Sequence, residues 1–161
     1  MTANSGSIAI WGTGGHAISI LEAVLANHIR NVVFVDQMVS TSSFEGFPVV
    51  TVDELRNGNI RYNFVFAIGD NFTRQLTWKE VTTFLPDMTT ATVIHPSAVV
   101  ASSASLDSGT IVLGGVMIGA KPRIGHHCTV NTDASLDHES SMGDFSSLAS
   151  GVGHGRPSGH R

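Results

Sequence analysis

From Val93 the chain repeats every six residues. The second position of ten successive hexads reads Ile94, Val100, Leu106, Val112, Ile118, Ile124, Val130, Leu136, Met142 and Leu148, aliphatic throughout. If about a third of positions carried such a side chain by chance, this run would have odds on the order of one in 10⁴ to 10⁵. The sixth position is small or compact, from Ala98 and Ala104 through Cys128 and Ala134 to Ser146 and Val152. A period of six divides by two and not by 3.6, so it predicts short strands and turns rather than helix. Three hexads close one triangular coil of a parallel β-helix, and each coil covers the aliphatic ladder of its neighbours.

Upstream of the repeat the pattern is different. Apolar Ser7–Trp11 predicts a strand, Gly12–His16 a glycine turn, Ala17–Ala26 an amphipathic helix, and Val32–Asp36 a second strand with an acidic end. A third strand is predicted over Asn63–Ile68, leaving through Gly69, Asp70 and Asn71 into a helix from Phe72 to Phe84. A turn at Phe44–Pro48 and a short helix at Val52–Arg56 lie between. Alternating β and α segments imply a parallel sheet with right-handed crossovers. The expected architecture is therefore an α/β Rossmann-like domain over residues 1–92, a hexapeptide-repeat β-helix over 93–152, and an irregular tail over 153–161. In that tail His154 and His160 would fall in the aliphatic column, where an imidazole is out of place in a dry ladder. The pattern thus predicts a truncated or frame-altered solenoid, the natural protein continuing for further coils.

Composition narrows the function. The 161 residues carry nine Lys and Arg against 13 Asp and Glu, a net charge of −4, which argues against a nucleic-acid footprint. The single cysteine, Cys128, excludes an internal disulfide framework and suits a reducing compartment. No apolar run approaches the roughly 18 residues of a membrane span, and the N-terminus lacks the marks of a signal peptide. The expectation is a soluble cytoplasmic protein without nucleic-acid or membrane partners.

Two places carry candidate chemistry. Gly12, Gly14 and Ala17 form a G-x-G-x-x-A turn between strand and helix, with Asp36 at the end of the next strand. Glycine lets backbone approach a diphosphate, whose charge meets free N–H groups at the helix start, while Asp36 could take a ribose hydroxyl. The competing reading is a tight βα turn with no ligand. In the solenoid, Asp137, His138 and Glu139 occupy a predicted corner, where a histidine beside a carboxylate can act as general base. There the competing reading is a solvated corner histidine. His126, His127 and Cys128 suggest zinc, but adjacent ligands rarely converge on one metal and Cys128 belongs to the inward column, so no metal is expected.

Taken together, Ile8–His16, Phe34–Asp36, Phe66–Asn71 with Arg74, Ile94–Ser97, Asn131–Thr132 and Asp137–Glu139 make the chain resemble the bacterial sugar acetyltransferases of the hexapeptide-repeat acyltransferase superfamily. Members of that family modify sialic acid or the 4-amino group of UDP-linked amino sugars. The resemblance implies a left-handed parallel β-helix, acetyl-CoA as co-substrate, a sugar-nucleotide or sialic acid substrate, and a homotrimer with active sites between neighbouring solenoids. It makes Gly12, Thr13, Gly14, Gly15, His16 and Asp36 the cradle for the nucleotide, bordered by Gly69, Asp70 and Asn71. His138 becomes the base and Glu139 its orienting carboxylate. Similar proteins carry a second histidine nine residues after the base, near the acetyl group of the cofactor; here that position is Ser147, which weakens any oxyanion-stabilising role. Two rival readings are a catalytically incomplete nucleotide-binding scaffold trimer and an NAD-binding oxidoreductase built on Gly12 to Asp36.

Overall fold

A computed structural model describes residues 6–36, 41–57 and 61–155. The N-terminal half is built on β1 (Ser7–Trp11), β2 (Val32–Val35) and β5 (Tyr62–Phe66), whose near-continuous apolar runs are those of parallel strands buried on both faces. β1 pairs in parallel with β2 on one side and β5 on the other. Helix α1 (Gly15–Ala26) crosses over between β1 and β2. Helix α3 (Asn71–Phe84) follows β5, and its N-cap Asp70 accepts the backbone N–H of Thr73 at 2.8 Å.

The sheet has six strands where three were expected, in the order β3-β4-β2-β1-β5-β6. The segment expected to be only a turn is a hairpin, β3 (Ser43–Phe44) and β4 (Phe47–Val50), whose tip residues Glu45 and Gly46 both have positive φ. α2 (Val52–Asn57) follows, and β6 (Thr89–Thr90) adds the far edge beside β5. These strands are two to four residues long and no more than half-buried, too short for alternation to reveal them.

From residue 93 the chain winds as a three-sided solenoid of two-residue strands, the left-handed parallel β-helix expected. One side stacks β7 (Val93–Ile94), β10 (Ile111–Val112), β13 (Thr129–Val130) and β16 (Ser147–Leu148). The second stacks β8 (Val99–Val100), β11 (Met117–Ile118), β14 (Ser135–Leu136) and β17 (Gly153–His154). The third stacks β9 (Ser105–Leu106), β12 (Arg123–Ile124) and β15 (Ser141–Met142). Pairing advances 18 residues per coil, so Ile94, Val112, Val130 and Leu148 form one rung, with Val116, Cys128 and Ala134 of the sixth column filling the same core. The ladder runs two residues past Val152. His154 pairs with Leu136 in register yet stays exposed, because no coil lies above it in the described residues.

The change of pattern near residue 92 is crossed by a shared core. Val93, Ile111 and Leu113 pack in the same buried cluster as Ile8, Ile10, Ile20 and Val24, so α1 covers the first side of the solenoid. Asn27, closing α1, donates its side-chain amide to the Ile94 carbonyl at 2.9 Å.

The fifth hexad position has a conformational rule of its own. Gly109, Gly115, Lys121, His127, Asp133, Glu139, Phe145 and Gly151 all have φ between 54° and 78°, turning eight successive corners in the left-handed region. Non-glycine residues pay about 1 kcal/mol there. Lys121 is exposed with φ 61°, and its backbone N–H donates to Ser103 Oγ at 3.1 Å. Lys121→Gly should therefore raise the unfolding free energy by about 0.5–1 kcal/mol, and Lys121→Val should lower it by about 1 kcal/mol or more, as read by urea denaturation. Equal stability of the two variants would contradict the corner rule.

Candidate functional site

The crevice lies where β1 and β5 part company, at the carboxyl ends of adjacent strands whose connections leave in opposite directions. Gly12 opens the turn after β1 with φ 108°, which calls for glycine, and a Cβ there would also crowd the Ala67 carbonyl oxygen at 3.3 Å. Gly14 and Gly15 are different: they are exposed, and a Cβ on either would touch nothing within 4 Å. Room for a ligand is thus open directly over the first turn of α1, whose N-cap Gly14 supplies no side-chain acceptor. Thr13 Oγ1 donates to Asp36 Oδ2 at 2.6 Å, pinning the turn to the end of β2.

The other lip is the β5–α3 loop, Gly69, Asp70 and Asn71. One Asp70 oxygen caps α3 through Thr73, and those hydrogen bonds hold its carboxyl below the usual range. His16 is half-buried beside this loop, and its Nε2 atom has no partner among the described residues. Burial and the charge of Arg74 push its pKa down, so the ring is neutral at neutral pH.

Below the loop sits Arg74, 1% exposed and without a carboxylate salt bridge among the described residues. Its guanidinium donates instead to oxygen dipoles. Nε reaches the His127 carbonyl at 3.0 Å and Nη1 the Ile68 carbonyl at 2.7 Å. Nη2 reaches the Phe145 carbonyl at 2.8 Å, Asn71 Oδ1 at 2.9 Å and Ser147 Oγ at 3.2 Å. Ser147 Oγ in turn donates to Asn71 Oδ1 at 2.6 Å. One cation therefore fastens the crevice loop to the solenoid corner between the third and first sides.

Aromatic rings close around it. His127 stacks on Phe145 with centroids 5.0 Å apart and planes at 13°, and Trp78 and Phe66 lie 5.2 and 5.8 Å from its ring. Only glycine fits at position 109, because a Cβ there would strike the His127 imidazole. Burial is the main cause that drives the His127 pKa down to about 4, helped by His126 and Arg74. The His126–Cys128 run is thus corner and core: among the described residues no three possible ligands gather around one point, and the Cys128 thiol donates to the Gly143 carbonyl at 3.0 Å. Trp78, His127 and Phe145 were not recognisable as one cluster from their residue types. The available signal was that His127 and Phe145 share the fifth hexad position one coil apart.

Asp137, His138 and Glu139 form the corner between the second and third sides, and all three are exposed. The His138 N–H donates to Asp137 Oδ1 at 2.7 Å, and the Glu139 N–H to the Ala120 carbonyl at 2.9 Å, with Glu139 at φ 55°. A Cβ on Gly119 would lie 3.1 Å from the His138 nitrogen, so the coil below approaches this corner closely. An open groove of about 370 Å³ runs beside it, lined by Met117, Gly119, Ser135, Asp137, His154 and Gly155 among others. The structure brings Gly12, Thr13, Gly14, Gly15, Asp36 and Gly69–Asn71 together, and adds Ser147 to them. It does not bring His138 or Glu139 to that crevice in the same chain, since the third side of the solenoid stands between the two corners. Ser147, expected at the cofactor, commits its one hydroxyl proton to Asn71.

Comparison with known proteins sharpens this picture. Residues 7–81 match the PglD N-terminal domain. The chain is 32% identical to a GDP-perosamine N-acetyl transferase from Caulobacter crescentus, solved as a histidine-to-alanine variant with CoA and GDP-perosamine; the match covers 93% of this chain and 71% of that one, with a TM-score of 0.82. It is 25% identical to the acetyltransferase domain of PglB from Neisseria gonorrhoeae in complex with acetyl coenzyme A, covering 93% and 73% of the two chains at a TM-score of 0.83. WeeI from Acinetobacter baumannii, at 15% identity, shares the fold with a TM-score of 0.82 over 92% of this chain and 72% of its own.

The buried imidazole has a consequence for stability. The folded His127 pKa is about 4, below the 6.5 of an unfolded histidine, so the unfolded chain takes up a proton first as pH falls. Stability is full above pH 6.5 and declines down to about pH 4, by on the order of 3 kcal/mol from this ring, with His16 adding in the same direction. His127→Phe keeps a ring in the stack and removes the titrating group. Urea midpoints measured from pH 7 to 4.5 should show a clearly flatter slope in this variant, and an unchanged slope would contradict the assignment.

Proposed function

The chain belongs to the sugar N-acetyltransferases of the hexapeptide-repeat acyltransferase family, and from that membership we propose that it moves an acetyl group from acetyl-CoA to the amino group of a nucleotide-linked sugar. The observation that carries this reading is the 32% identity, across 93% of the chain, to a GDP-perosamine N-acetyl transferase. The crevice supports it from below. Its two bare glycines, free helix N-terminus and Asp36 suit a nucleoside diphosphate.

In this reading His138 is the base. The amine nitrogen attacks the thioester carbonyl carbon while His138 accepts the proton that the nitrogen sheds. The C–N bond forms, the tetrahedral intermediate collapses, the C–S bond breaks, and the leaving sulfur takes the proton back from His138, so no acyl-enzyme arises. Glu139 orients the ring. The groove beside Asp137 offers open volume for the thioester arm. His138 and the crevice lie at different corners of one solenoid, so the complete site is assigned to two neighbouring copies of a homotrimer. Val99 and Met117, more than half exposed on the second side next to the His138 corner, are the apolar surface such a neighbour would cover.

Acceptor-dependent thiol release from acetyl-CoA, with UDP- and GDP-linked 4-amino sugars as acceptors, tests the reaction. The wild-type chain should release thiol with one of them, and His138→Ala should lower kcat by about 10²-fold or more while nucleotide affinity stays within about twofold. Release that is independent of acceptor, or equal in the variant, would overturn the assignment and favour a scaffold.

A further inference from the structure

The Asn71 side chain occupies the one point where the crevice loop, the buried cation and the solenoid meet. Two groups converge on its Oδ1: Arg74 Nη2 at 2.9 Å and Ser147 Oγ at 2.6 Å. A guanidinium offers donors and no acceptor, so the amide atom facing it can only be the oxygen. This settles the orientation of an amide that would otherwise be ambiguous. The two Nδ2 hydrogens are then left to the exposed side of the loop, and among the described residues they have no partner.

We infer that Arg74 and Ser147 are positioning residues that lock the Asn71 amide so that it presents only donors to the crevice, making Asn71 a specificity determinant for an acceptor oxygen of the sugar nucleotide. The inference rests on the proposed sugar-nucleotide site and deepens it. The matching ligand chemistry is an anionic or acceptor-rich group, a diphosphate oxygen first among them. An unlocked asparagine would spend half its time with the carbonyl outward, repelling that oxygen. The lock also explains why Arg74 is held by carbonyls, an amide and a hydroxyl: all are donor-seeking groups fixed by the fold, and three of them belong to the solenoid. The position of the crevice lip is in this way referred to the coil that carries Ser147.

Asn71→Asp separates recognition from folding. The aspartate keeps an oxygen for Arg74 and Ser147 and gives the buried cation a carboxylate, so the fold should be as stable as wild type or more so. Its second oxygen replaces the outward donors with an acceptor. Calorimetric titration of the full chain with UDP, GDP and CMP at pH 7 is expected to show the nucleotide that wild type binds losing at least tenfold in affinity in Asn71→Asp, with an unchanged or raised unfolding midpoint. Ser147→Ala, which touches the nucleotide only through Asn71, should lose severalfold. Wild-type affinity in Asn71→Asp would overturn the lock while leaving the sugar-nucleotide reading intact. A wild-type chain that binds none of the three nucleotides would overturn that reading and the lock with it.

Discussion

A guanidinium removed from water and given no carboxylate salt bridge among the described residues is costly to fold around, and the arrangement of this protein follows from how Arg74 is satisfied. Burying an unpaired charge is unfavourable by several kcal/mol unless dipoles replace its hydration. Here the dipoles come from two places that are remote in sequence: the end of β5 with the start of α3, and the solenoid corner around His127 and Phe145. Neither place can move without stranding donors or carbonyls. Removing the side chain would leave the His127 and Phe145 carbonyls unpaired beneath a tight aromatic stack. The crevice loop is therefore as rigidly placed as the coil beneath it, which is the condition a binding site on a loop needs.

The solenoid supplies that rigidity cheaply. Each hexad contributes one aliphatic rung, each from Gly109 onward turns on one left-handed corner residue, and each coil copies the last at a spacing of 18 residues. Three corners result, with different uses. One is taken up by the α/β half through Arg74 and the aromatic cluster. Another carries Asp137–Glu139 into solvent. A transferase must present two substrates to each other, and a solenoid with the proposed nucleotide crevice over one corner and a histidine on another is a suitable half of such a machine. The proposed trimer joins the halves between copies.

Much of this was legible in the residues. The aliphatic column gave the coil, its period and its three sides, because an inward rung tolerates nothing polar. The glycine turn and Asp36 located the crevice, since a backbone φ of 108° and a Cβ position crowding the Ala67 carbonyl leave few alternatives at Gly12. The hairpin β3–β4 and strand β6 left no mark in the pattern, because strands of two to four residues at a half-buried edge are too short to show a period. The lock around Arg74 escaped as a structure, although Arg74 itself stood among the residues of the family resemblance, because side-chain bonds to backbone carbonyls leave no trace in the types of their partners. His127 illustrates the same limit: in sequence it stood beside His126 and Cys128 as if to bind zinc, whereas the left-handed corner turns its ring into Phe145 and Trp78.

In the proposed homotrimer crevice and base are supplied by different copies, and subunit complementation tests this arrangement. A His138→Ala chain and a chain with its crevice filled by Gly15→Trp, each inactive alone, would be co-expressed and the mixed oligomer assayed for acceptor-dependent thiol release. Recovery of a substantial fraction of wild-type turnover is expected, about a quarter for random pairing of neighbours. A mixed oligomer no more active than the two parents would place base and crevice in the same chain and contradict it.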